Sequence, residues 1–195
     1  MGGAHDLLAL ELSHRITNIF AVISGVVTLS ARGQPEMRPF ARALQARMDA
    51  LAAAHRCMRR TAPRWRRRRQ TLFAPYRGAS HETISVEGDD AAIRLQAAGT
   101  IALIVHELAT NAVKHGAHSS DTGMVRISCA AADGRYRIDW REEGGPPLSG
   151  APQHKGFGTA FSNWLVASAD VDIQRTWRPE GLAVSISMPL EALDL

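Results

Sequence analysis

The stretch Ile101-Ala-Leu-Ile-Val-His-Glu-Leu-Ala-Thr-Asn-Ala-Val-Lys-His-Gly116 decides how the rest of the chain is read. At 100° per residue it places Ile101, Ile104, Leu108 and Ala112 on one apolar arc turned toward a core. Glu107, Asn111 and Lys114 fall within about 60° of one another on an adjoining face. A carboxylate, an amide and an ammonium in successive turns form a polar ridge beside a buried stripe. Spacing alone leaves two uses open: a solvated face with an ordinary ion pair one turn apart, or a ligand site.

Downstream, Met124–Ala130 and Arg135–Arg141 alternate apolar and polar residues around Asp133-Gly134. That dipeptide between alternating runs predicts a tight β-hairpin. A second pair, Val171–Trp177 and Leu182–Met188, is expected around Arg178–Gly181. Gly144–Pro152 reads as a loop leading into a helix at 158–168. Upstream, Thr83–Glu87 and Ile93–Leu95 read as strand, and the helix as Gln96–Gly116 with Gly116 as its C-terminal stop. A layer of helices on one face of a mixed or antiparallel sheet, an α+β fold, is expected for residues 71–195.

The N-terminal third has a different texture. Leu12, Ile16, Ile19, Phe20, Ile23, Val26 and Val27 recur at three- and four-residue steps. They predict a helix over 6–31, capped by Asp6 and ended by Gly33 and Pro35. A second helix over 36–60 carries Met37, Phe40, Ala41, Leu44, Met48, Leu51, His55 and Met58 in register. The short connection makes an antiparallel hairpin over residues 1–62. Two helices bury little alone, so the hairpin is expected to form a homodimer through both helices or to lean on the C-terminal domain. The apolar arc of the first helix centres near Ile23. His14 lies almost opposite, with Asn18 one turn on and Ala21 and Gly25 continuing its line. An imidazole off the core face is open to another protein or a nucleotide; the bland alternative is an ordinary surface histidine. His55, on the apolar side, reads as structural.

A chain of 195 residues with 45% hydrophobic and 22% charged residues has the makings of a real core. No run approaches the roughly 18 apolar residues of a membrane span, and the start MGGAHDLLAL is unlike a signal peptide. Cys57 and Cys129 are too few and too unpatterned for a disulfide framework or a zinc site. A cytoplasmic chain with no membrane partner is expected. The net charge of +4 is local: seven arginines crowd into Arg59–Arg69, and without them the remainder carries −3. With Pro63, that run marks the domain boundary.

HELATNA, inside the opening stretch, resembles the asparagine box of the GHKL ATP-binding fold in the form used by the HWE branch of histidine kinases. Trp140-Arg-Glu-Glu-Gly-Gly-Pro146 and Gly156-Phe-Gly-Thr159 match further motifs of that family in order, and Glu11-Leu-Ser-His-Arg-Ile-Thr-Asn18 resembles its phosphoacceptor box. His106, Trp140 and Glu142 are the residues by which the branch is recognised. The resemblance implies an HWE-type kinase core. Residues 1–62 would be a dimerisation and phosphoacceptor hairpin, and residues 71–195 a catalytic α/β sandwich of GHKL type. With no sensory or receiver segment recognised, a bare core, a fragment, or input from a separate protein is expected.

The same resemblance implies ATP and Mg2+ as cofactors. Asn111 would hold the metal, Glu107 would orient a metal-bound water, and Lys114 would meet a phosphate as a point charge. His106, about 100° from that ridge, would brace the box. Glu142 stands where most of the superfamily has an Asp that accepts from the adenine amino group, and Gly144 and Gly145 would let the backbone lie close under the ring. A carboxylate before two glycines is otherwise a common turn, and Trp140 equally suits the core of its strand. Gly156, Phe157, Gly158 and Thr159, just before a helix, would offer backbone N–H groups to phosphate, with Lys155 and His154 adding charge.

His14 would be the nucleophile toward the γ-phosphoryl group, its imidazole oriented by Glu11. Asn18 would guide a water for dephosphorylation. Thr17 stands where a basic residue usually precedes that Asn, a departure bearing on the balance of kinase and phosphatase. The leading expectation is therefore a histidine kinase that autophosphorylates His14 and passes the group to an aspartate on a response regulator receiver domain. The alternative is an ATP-silent phosphotransferase or regulator phosphatase on the same scaffold. Intact Glu107, Asn111, Glu142, Gly156 and Gly158 argue against silence. Nucleic-acid binding through Arg59–Arg69 is the least favoured reading, since the run is brief and lies between domains.

Overall fold

The computed structural model describes residues 2–58, 84–89, 95–151 and 170–192. The chain divides into two compact units, Met1–Ala62 and Pro63–Leu195.

In the first unit, α1 (Gly2–Ser30) and α2 (Arg38–Met58) form a helical hairpin, linked through a turn and a short 3-10 helix at Pro35–Met37. Because α1 begins at Gly2, Asp6 lies inside it and does not cap it. Pro39 sits in the first turn of α2, where its missing N–H leaves no intrahelical bond unmade. The seam of α1 is narrower than its apolar arc. Ile16, Phe20 and Val27 are half-buried and Ala31 is buried. Ile19, Val22, Ile23, Val26 and Leu29 are exposed, Val22 at 65%. The arc centre predicted near Ile23 thus lies outside the seam, because one neighbouring helix covers only a strip of so wide an apolar face.

The second unit is an α+β fold. Its strands are β1 (Ile84–Gly88), β2 (Met124–Ala132), β3 (Arg135–Glu143), β4 (Asp172–Arg178) and β5 (Gly181–Pro189), with α3 (Leu95–Lys114) between β1 and β2. The sheet order is β1-β2-β3-β5-β4. β1 runs parallel to β2, as a strand must when a helix carries the chain across, and the other pairs are antiparallel. Ala132 pairs with Arg135 across a two-residue loop in which Asp133 and Gly134 both take positive φ, 52° and 72°. This is the turn whose twist suits a hairpin, and Asp-Gly is a dipeptide that adopts it. The expected strand at Ile93–Leu95 is corrected at its end: Leu95 opens α3. The predicted helix at 158–168 and the Arg59–Arg69 run lie outside the described residues.

Side chains alternate across the sheet. Val125, Ile127 and Cys129, Tyr136, Ile138 and Trp140, and Val184, Ile186 and Met188 are buried on one side. The other carries exposed ion pairs, Arg126–Glu143, Arg135–Asp172 and Arg137–Asp139, of the kind that adds little stability. In α3 the predicted arc of Ile101, Ile104, Leu108 and Ala112 is fully buried, but so is every residue from Ile101 to Ala109. The helix is a core element over most of its length; among the described residues its exposed positions, Asn111, Val113 and Lys114, fall in the last turn and a half. Among the described residues, no helix is long and apolar enough to cross a membrane.

Candidate nucleotide site

The C-terminal end of α3 and the end of β3 meet at one buried carboxylate. Glu142 continues the inward alternation of Tyr136, Ile138 and Trp140, so the period of the strand, and no loop, carries its side chain inside. It is 6% exposed. Both oxygens are engaged. The Ala117 backbone N–H donates to Oε2 at 3.0 Å, and the Trp140 indole N–H donates to Oε1 at 3.1 Å. Burial pushes the Glu142 carboxyl above the usual carboxylate range, while the two N–H groups and nearby His118 pull it back.

The backbone around this carboxylate leaves no spare room. A Cβ at Gly116 would stand 1.9 Å from Glu142 Oε2. Gly116 does end the α3 segment, but with φ −111° and ψ −148°, outside the left-handed region of a glycine cap. The approach of Glu142 Oε2 and of the Ala112 Cα, 2.9 Å from the would-be Cβ, is what requires a glycine there. Gly144 takes a positive φ of 74°, and a Cβ at Gly145 would meet the Gly116 and Ala117 backbone at 2.8 Å. Both glycines expected to lie under a nucleotide ring are thus also required by the protein's own turn and packing.

The polar ridge of α3 splits by depth. Glu107 is buried, and Asn111 and Lys114 are exposed one and two turns further along. The solvated-face alternative therefore fails at Glu107. His106 is also buried. An exposed amide with a carboxylate one turn behind fits Mg2+, which takes few protein ligands and keeps most of its water. Among the described residues no cluster of His, Cys, Asp and Glu forms a metal cage, and such a site needs none. In α1, Asn18, Ala21 and Gly25 are exposed along one line. His14 and Glu11 belong to the same helix, with their side chains outside the described set. Gly156, Phe157, Gly158 and Thr159 also lie outside it.

Trp140 is a core residue, 1% exposed, and its ring nitrogen donates to Glu142. Sequence reasoning missed Ala117, because a backbone N–H has no side-chain signature. It assigned Gly116 to helix termination, because the steric demand comes from a residue 26 positions away.

The fold is that of a histidine kinase domain. It superimposes on a histidine kinase domain from a blue-light-activated histidine kinase of Erythrobacter litoralis with a TM-score of 0.62 at 20% identity, over 95% of this chain and 92% of that one. On a longer structure of that organism's blue-light-activated histidine kinase the TM-score is 0.67 at 21% identity, over 94% of this chain and 59% of that one. Residues 11–90 match the HWE histidine kinase family model. In sequence the chain is 35% identical to blue-light-activated histidine kinase 1 of Erythrobacter litoralis, over 94% of this chain and 53% of that protein. It is 31% identical to a blue-light-activated histidine kinase of Rhizobium johnstonii, over 95% and 53%. Over residues 11–90 the chain is similar to the HWE histidine kinases, and its fold is that of a histidine kinase domain. It spans about half the length, or less, of the curated relatives it matches.

Proposed function

We propose that the chain is a protein-histidine kinase of a two-component system, using Mg-ATP to phosphorylate His14 and passing the phosphoryl group to an aspartate of a response regulator receiver domain. The observation that carries this reading is the buried, doubly hydrogen-bonded Glu142 carboxylate at the end of β3, against the turn after α3. A carboxylate kept dry and acceptor-only suits the amino edge of adenine, and its burial would give that pairing its selectivity. Asn111 would hold Mg2+, which neutralises charge on the transferring phosphoryl group when bound, with Glu107 ordering its water and Lys114 meeting a phosphate. Gly144, Gly145 and the Gly156–Thr159 segment would complete the nucleotide site. In the hairpin, His14 would be the acceptor, with Glu11 orienting it and Asn18 placing water for the reverse step. We place this activity in the cytoplasm.

The exposed row Ile19, Val22, Ile23, Val26 and Leu29 supports a homodimer through α1 and α2, since a second copy would bury apolar surface that one hairpin leaves in water. Titration of ATP into the chain with and without Mg2+ tests the nucleotide reading. Saturable binding that tightens with Mg2+ and weakens in Asn111→Ala is expected. A folded chain with no affinity for ATP would move the assignment to an ATP-silent phosphotransferase.

A further inference from the structure

We propose that Trp140 is a positioning residue for the nucleotide base, fixing the direction in which Glu142 presents its remaining lone pairs and so the preference for a 6-amino over a 6-oxo purine. This rests on the reading of Glu142 as the base acceptor. Trp140 and Glu142 are neighbours on the inward side of β3, two residues apart. A glutamate side chain turns about three bonds, and one hydrogen bond leaves it free to pivot. Here two donors from separate directions grip separate oxygens: Trp140 from within the strand and Ala117 from the turn after α3. The buried indole N–H is a donor only and needs a partner, and here it finds one in this carboxylate. Each oxygen keeps a further lone pair for a ligand. In a site this dry, an amino N–H satisfies that lone pair, whereas a carbonyl oxygen meets it acceptor to acceptor. Loosening the carboxylate therefore weakens the amino purine more than the oxo purine.

The test replaces Trp140 in the whole chain by β-(3-benzothienyl)alanine, which keeps the ring shape and exchanges the N–H for sulfur. Affinities for Mg-ATP and Mg-GTP and the thermal midpoint are measured beside wild type, Trp140→Phe and Glu142→Ala. ATP binding about tenfold weaker, GTP binding little changed, and a folded protein are the expected outcome. An unchanged ratio of ATP to GTP affinity in the isosteric variant would overturn the proposal, whatever happens to stability. If wild type binds no ATP, or Glu142→Ala keeps wild-type affinity, the reading of Glu142 itself falls and takes the Trp140 role with it. The control arms report that failure separately.

Discussion

Gly116 and Glu142 are sterically coupled: the place a Cβ would take at 116 lies 1.9 Å from Oε2 of the Glu142 carboxylate and 2.9 Å from Ala112 Cα. A side chain at 116 must push the carboxylate off the Ala117 N–H. Gly116→Ala should therefore lose about 1–3 kcal/mol of stability, from a broken buried hydrogen bond and overpacking together, and weaken ATP binding. Combining it with Glu142→Asp, whose shorter side chain vacates the space, should cost less than the sum of the two changes. Denaturant unfolding of the four proteins measures that coupling. Strict additivity would mean that the contact is not felt.

Burial holds the Glu142 carboxyl above its ordinary value of 4.5. Between the unfolded value and the raised folded one, the folded chain binds more protons than the unfolded chain. This residue's contribution to stability therefore rises as pH falls through that window and is lost as pH rises through the folded value. Nucleotide affinity runs the other way, because protonation removes acceptor capacity. ATP titrations across pH should show binding weaken on acidification with a midpoint above 4.5, a step missing in Glu142→Gln.

Two glycines of the sheet should separate backbone cost from site damage. Gly134 has a φ of 72° with nothing within 4 Å of its would-be Cβ, so Gly134→Ala should cost about 1 kcal/mol and leave ATP affinity alone. At Gly181 a Cβ would lie 2.1 Å from the Glu142 carbonyl oxygen. Gly181→Ala should cost more and weaken ATP binding as well, by moving the end of β3. Thermal melts and nucleotide titrations of the two variants make the comparison.

What the sequence disclosed follows the range of the forces involved. The Asp133-Gly134 hairpin was legible because turn type depends on two residues and their neighbours. The apolar arc of α3 was legible by periodicity, but the burial of Glu107 was not, because which polar residue of a ridge goes under is set by whatever packs over the helix. Glu142 was singled out by its motif. Its grip by Ala117 and its exclusion of a side chain at 116 join positions far apart in the chain. In α1, periodicity found the apolar arc without saying that α2 covers only the Ile16, Phe20 and Val27 side of it.

That uncovered side makes a prediction about assembly. If a second hairpin covers it, sedimentation should show a dimer, and Val22→Asp with Val26→Asp should give a monomer of unchanged helix content. A wild-type chain that stays monomeric at every concentration would remove the homodimer from the account.

The central claim is that His14 takes a phosphoryl group from ATP bound beside Glu142 and Asn111. Its most direct test is incubation of the whole chain with γ-labelled Mg-ATP, beside His14→Ala and Asn111→Ala. Acid-labile, base-stable label on wild type and on neither variant is the predicted result. Label that persists in His14→Ala, or none on a folded wild type that binds ATP, would contradict it.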